Sequence, residues 1–219
     1  MDDAVISCWY TIAIQGANVL TVFAGVPDNN HDTLWDKLCG EPNSIKMVEL
    51  RRKENNKVLN QLGKKAHYID LLDIQYRKNN PTISTLKQRL VNYIDINTSL
   101  YFPLAGSLIY KHPDHVLLRE LGINLLNEGY KVSFYPDIPY MMMPNKINQR
   151  YLSKLKKRTL KLINSDVTIE LNHLNKEQLK NKQTSCHGYI SQYKMTNLVS
   201  FNNLNRQLHR NYEIIIRAY

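Results

Sequence analysis

Residues 100–136 read LYFPLAGSLIYKHPDHVLLRELGINLLNEGYKVSFYP, and this stretch decides the fold. Residues 100–102 are a short apolar run, read as a strand. A loop over 103–111 leads to His112-Pro-Asp-His115, which opens a helix: Leu118, Leu121 and Leu125 recur at helical spacing until Gly129 breaks it. Residues 132–135 read as a second strand, stopped by Pro136. Strand, helix, strand is the repeating unit of a parallel α/β sheet.

The alternation extends toward the amino end. Residues 3–15 read as a helix ended by Gly16, and 19–23 as a buried strand closed by Ala24-Gly-Val-Pro27. A polar loop with Asn29, Asn30 and Asp32 precedes a helix over 47–62, a strand over 67–72, a loop at 78–81 and a helix over 83–94. After residue 145 the pattern changes to a basic helix, a segment at 168–171, a helix over 175–192 and a closing strand over 212–218. The fold expected is α/β, a Rossmann-like, mostly parallel sheet flanked by helices with a smaller C-terminal α+β portion. It forms one domain over 1–219, with a core over 1–145 and a cap over 146–219. The chain opens on a helix with no strand before it, so the first strand of the sheet is expected to be missing. In such folds that strand lies centrally, and its loss exposes ladder groups on its neighbours.

At 219 residues and 43% hydrophobic the chain can bury a substantial core, and no run approaches the roughly 20 apolar residues of a membrane span. Met1 is followed by two carboxylates, not by a basic segment and an apolar stretch, so no signal peptide is read. Cys8, Cys39 and Cys186 form no Cys-x-x-Cys pair, which argues for reduced thiols and a cytoplasmic location. The formal charge of +10 raises nucleic-acid binding as a class. The lysines, however, are spread among asparagines and isoleucines, and no nucleic-acid partner is expected. The densest run, KLKKRTLK at 154–161, reads as the solvated face of an amphipathic helix; an anionic partner such as a nucleotide-sugar, lipid head group or membrane surface is the alternative.

Two segments carry chemistry. Asp2-Asp3 stands before the first helix, where an aspartate serves as an N-cap. His112-Pro-Asp-His115 stands before another helix; two histidines with an acid between them make a metal half-site, while Pro-Asp is also an ordinary helix start. Ligands of open α/β sheets bind beyond the carboxyl ends of the strands, and both segments lie at such ends. A catalytic zinc site needs about three protein ligands, an open position for water and a nearby base. The two segments supply two ligands and a base, one ligand short.

Several motifs in chain order resemble the PIG-L/LmbE-like de-N-acetylase family. Met1-Asp-Asp-Ala-Val-Ile-Ser-Cys8 resembles the end of its Ser-Pro-His-Leu-Asp-Asp-Ala-Val-Leu-Ser-Cys motif, and Gly16 to Pro27 the glycine, strand and Phe-Ala-Gly-x-Pro that follow. Arg51-Arg-Lys-Glu54 is similar to an Arg-x-x-Glu helix start, and Leu72 to Arg77 to a Leu-Asp-x-x-Tyr-Arg stretch. His112 to Arg119 resembles His-x-Asp-His-x-x-x-Arg, and Tyr135 to Tyr140 resembles Tyr-x-Asp-x-Pro-Tyr. Lys182 with Tyr189-Ile-Ser-Gln192 resembles a late Lys…Tyr-x-Ser-Gln helix.

The resemblance implies a hydrolase, dependent on zinc or another divalent metal, that removes the acetyl group from an N-acetylated sugar or glycoconjugate. By the same resemblance Asp3 and His115 are metal ligands, Asp2 is the base that takes a proton from the attacking water, and His112 donates to the oxyanion or the leaving amine. Asp114 orients a histidine, and Arg51 and Asp73 shape the substrate pocket. The residues alone leave Arg51 and Glu54 readable as a helix surface pair, and Asp73 as a turn residue. The motif's third ligand, a histidine, falls two positions before Met1. The favoured account is an N-terminal truncation, with an upstream strand belonging to the whole protein; the other is a chain that begins here and is weakened or inactive. Trp9 and Tyr10 stand where the family has a glycine pair, which implies a different local packing or a pocket wall. His31, His67, His173, His187 and His209 have no ligand neighbour at suitable spacing, and a helix-packing role is expected for His187. The alternative function is a catalytically impaired or non-enzymatic basic α/β module that binds an anionic glycan or nucleic acid.

Overall fold

The computed structural model describes residues 1–105, 111–138, 140–141, 143–193 and 204–219, the side chains of 205 and 206 excepted. Its contacts divide the chain into two compact units, each built from two segments: Met1–Asn80 with Leu174–Asn211, and Pro81–His173 with Tyr212–Tyr219.

In the first unit α1 (Asp3–Ala13), α2 (Leu34–Cys39) and α3 (Ser44–Gln61) accompany strands β1 (Val19–Thr21) and β2 (Ala66–Tyr68), which pair in parallel from Val19↔Ala66 to Thr21↔Tyr68. Both strands are shorter than read, because the chain leaves the ladder early. Beyond β2 the contact continues through the Ile69 N–H to Thr21 carbonyl bond of 2.9 Å, the Ala24 N–H to Ile69 carbonyl bond of 3.4 Å, the Phe23↔Asp70 bridge and the Gly25 N–H to Leu71 carbonyl bond of 2.9 Å. A 3-10 turn follows at Ile74–Tyr76. α7 (Lys176–His187) and α8 (Leu204–Leu208) return to this unit from the carboxyl end of the chain. α7 packs on α1 and α3. Trp9 is buried there, its indole N–H donating to Ser185 Oγ at 3.2 Å, so the aromatic that replaces a family glycine fills the α1–α7 interface. The helix read over 175–192 breaks at Gly188, where a Cβ would stand 2.4 Å from Val58 Cγ2; the small residue lets the chain close onto α3.

The second unit holds α4 (Ile83–Leu90) and a four-stranded sheet in the order β3-β4-β6-β5. β3 (Ser99–Pro103) and β4 (Lys131–Tyr135) pair in parallel, joined by α5 (Pro113–Asn127), as the opening stretch of sequence leads one to expect. β6 (Tyr212–Ala218) runs antiparallel to both β4 and β5 (Val167–His173), so the C-terminal strands extend this sheet. α6 (Gln149–Ile163) lies on β5 with Leu155, Thr159 and Ile163 buried and Lys154, Lys156, Lys157 and Lys161 exposed, the solvated face that its charge pattern implies. The two parallel pairs flanked by helices establish an α/β fold with an antiparallel C-terminal extension. Among the described residues no helix is long and apolar enough to cross a membrane.

α5 carries the His112 segment at its start and presses on β3 and β4 through Leu121 and Leu125, both fully buried. The approach depends on Gly122: a Cβ there would stand 2.9 Å from the Phe102 ring and 3.1 Å from that of Phe134. Gly122→Ala is expected to destabilise the protein by about 1–3 kcal/mol through overpacking, read as a lower urea midpoint at an unchanged m-value.

Candidate functional site

Among the α-helices whose N-cap lies in the described residues, five starts follow one rule and two depart from it. Thr33, Asn43, Thr82, Asn148 and Asn175 each precede a helix, and each side chain accepts a bond from a backbone N–H of the first turn. Such caps stabilise a helix end by about 1 kcal/mol. Asp2 precedes α1 and His112 precedes α5, and neither side chain makes a capping bond. The N-cap reading of Asp2 is therefore not what the structure shows.

In the first unit Asp2 and Asp3 present adjacent, partly buried carboxylates, 3.5 and 3.7 Å from the Met1 amino nitrogen. Burial pushes the Asp2 carboxyl above its ordinary range; the amino group opposes that, and the Asp3 charge adds to it. Arg51 also acts on Asp2, in the lowering direction. Two partly buried like charges call for a cation beside them. The phenol of Tyr189 is buried within the electrostatic reach of both carboxylates, and burial raises its pKa; its hydroxyl donates to Asn55 at 2.8 Å.

Arg51 and Glu54 are not a surface pair. Both are buried and each has another partner: Arg51 Nη2 donates to Asp36 at 3.1 Å, and Glu54 accepts from the Ser191 N–H at 2.8 Å and hydroxyl at 2.6 Å. Asp73 caps the Ile74–Tyr76 turn, accepting from the Gln75 N–H at 3.1 Å, so it does act as a turn residue.

In the second unit α5 carries His112, Asp114 and His115 on its first turns. His115 and Asp114 are buried. The ring centroids of His112 and His115 lie 5.0 Å apart, and Tyr140 lies 5.6 Å from the first and 5.1 Å from the second. His115 Nδ1 is 2.9 Å from Asp137 Oδ2. A carboxylate can only accept, so the bond puts a proton on Nδ1. Asp137 is 1% exposed and its other oxygen accepts from the Ala105 N–H at 3.0 Å. Ala105 stands at φ 48°, a left-handed conformation that costs an alanine about 1–2 kcal/mol. It is held from both sides, since Arg119 Nη1 donates to its carbonyl at 3.3 Å. The rest of the loop read over 103–111, residues 106–110, lies outside the described residues.

The structure thus brings Asp2 and Asp3 together within one unit and His112, Asp114 and His115 together within the other. Two participants were missed in the sequence. Asp137 lies in the Tyr135-to-Tyr140 motif, which flagged the segment but not the residue's task. Asp36 lies in a stretch read as loop. Of the remaining histidines, His187 is exposed and its Nε2 lies 2.9 Å from the Tyr193 hydroxyl.

Among the described residues no group of three or more histidine, cysteine, aspartate or glutamate side chains is arranged to hold a metal ion. His115 is preorganised: its carboxylate-held imidazole is the arrangement by which metal-binding histidines are usually oriented. A carboxylate and an imidazole suit zinc and other divalent ions alike.

No family profile matches the sequence. The 2'-N-acetylparomamine deacetylase of Niallia circulans is 26% identical over 186 residues, which are 68% of this chain and 67% of that protein. Among solved structures, the A40926 pseudoaglycone deacetylase matches with a TM-score of 0.72 at 20% identity, covering 100% of this chain and 93% of that one. The zinc-inhibited form of teicoplanin deacetylase matches with a TM-score of 0.70 at 20% identity, covering 100% and 94%. The fold is that of these deacetylases, and it fits the PIG-L/LmbE-like fold implied by the sequence motifs.

Proposed function

We propose that this chain is a metal-dependent de-N-acetylase that hydrolyses the acetamide of an N-acetylated sugar or glycoconjugate. The observation that carries the reading is the pair of helix starts at which Asp2 and His112 forgo capping, each within a segment that resembles a PIG-L/LmbE-like de-N-acetylase motif. The Niallia relative, named for an N-acetylated aminoglycoside fragment, supports an amino-sugar substrate.

In this reading Asp3 is a metal ligand and so is His115, the metal being zinc or another divalent cation, and Asp137 fixes the His115 ring for that task. When bound, such a cation polarises the amide carbonyl and lowers the pKa of water. Asp2 takes the proton from the attacking water, a role for which its raised affinity for protons suits it. His112 donates to the developing oxyanion or to the departing amine. Asp114 helps to hold the histidine segment, and Arg51 and Asp73 contact the sugar.

The test is acetate release from 2'-N-acetylparomamine and related N-acetyl glycosides, with bound metal measured alongside. Failure to release acetate from any of them in the presence of divalent cation would count against the reading. Asp137→Asn is expected to weaken metal affinity by about 10- to 100-fold while leaving the protein folded, measured by competition with a chelating dye. Unchanged affinity would remove Asp137 from the account.

A further inference from the structure

Asp36 has no exposed surface, yet it lies on a six-residue helix at the edge of the first unit's core. Its carboxylate accepts from Arg51 Nη2 at 3.1 Å and the Tyr76 hydroxyl at 2.7 Å, with Gln75 Nε2 at 3.4 Å. Tyr76 and Gln75 belong to the turn that Asp73 caps. One carboxylate therefore positions Arg51 directly and the turn at Asp73 through two side chains.

Arg51 is 8% exposed, and its Nε–H has no hydrogen-bond acceptor among the described residues. A guanidinium carries five N–H donors and one positive charge. Asp36 balances that charge and engages one donor edge, so what Arg51 still offers is hydrogen bonding without net charge. A phosphate placed against it would also face the Asp36 carboxylate behind it, an unfavourable like-charge approach in a poorly solvated place. A hydroxyl or an amide carbonyl meets no such penalty.

We propose that Asp36 is a specificity-determining positioning residue: by neutralising Arg51 it makes that arginine a reader of uncharged sugar oxygens and excludes phosphorylated sugars. The proposal rests on the reading of Arg51 as a substrate contact.

Inorganic phosphate is the probe, titrated calorimetrically into the wild-type chain, Arg51→Gln, Asp36→Asn and the double variant. Wild type should bind phosphate no better than Arg51→Gln, because the Asp36 carboxylate behind Arg51 opposes an added anion as the guanidinium attracts it. Asp36→Asn should gain binding at least about tenfold tighter, and the double variant should lose the gain. Phosphate binding by wild type that Arg51→Gln abolishes overturns the proposal, as does a folded Asp36→Asn with no gain. Should Asp36→Asn fail to fold, the comparison of wild type with Arg51→Gln decides. A kinetic arm compares N-acetylglucosamine with its 6-phosphate: Asp36→Asn should shift the KM ratio toward the phosphate ester, whereas Tyr76→Phe, which removes a bond to Asp36 but no charge, should leave it unchanged. Phosphate results as expected with no amide hydrolysed would defeat the hydrolase reading alone; hydrolysis with an unchanged KM ratio would defeat this proposal alone.

Discussion

Asp2→Asn is expected to lower kcat/KM for amide hydrolysis by about 10²- to 10⁴-fold, the usual contribution of a positioned general base. The substitution keeps the side chain's size and removes only its ability to take a proton. Because the Asp2 side chain makes no capping bond to α1, it should leave stability within about 0.5 kcal/mol of wild type. That separation distinguishes a base from a cap. A cap would show the reverse pattern, a lower thermal midpoint with catalysis intact. Measuring kcat/KM and the denaturation midpoint on the same preparations reads both.

His115→Ala carries the second large effect, and it acts on folding as well as on activity. The imidazole is the ring partner of Asp137 in a place where the carboxylate is 1% exposed. Removing it leaves a buried carboxylate that still accepts from the Ala105 N–H but has lost its imidazole partner, a loss of about 3–5 kcal/mol by analogy with broken buried pairs. Acetate release should fall to background, since the residue is also a proposed metal ligand. The double variant His115→Ala, Asp137→Asn should regain part of the stability, because the uncompensated charge is gone, but none of the activity. Equal instability in the single and double variants would mean that the pair contributes no coupling.

Much of this fold was legible because its signals are long and periodic. The β3–α5–β4 unit stood out through two apolar runs, the leucines of α5 and the Gly129 break, and α1, α3 and α6 through their apolar spacing and their ends. α2 was not legible: six residues with Leu34 and Leu38 exposed give no buried stripe, and the polar flanks read as loop. Its signal was the pair of ends, Thr33 as a cap and Gly40 at φ 94°. Missing α2 meant missing Asp36, whose burial follows from contacts 15, 39 and 40 residues away in the chain. Asp137 escaped for the same reason, since its bond to His115 spans 22 residues. The proposed site residues Asp2, Asp3, His112 and His115 stood out in the sequence because acids and histidines cluster there at two helix starts. Their supporting carboxylates did not, because any acid in the right place would serve.

The most direct test of the central claim is acetate release from N-acetyl amino-sugar glycosides by the chelator-treated protein, before and after a divalent cation is restored. The account predicts background release after chelation, recovery with the cation, and no recovery in Asp2→Asn. Release that survives chelation, or that Asp2→Asn leaves intact, would contradict it.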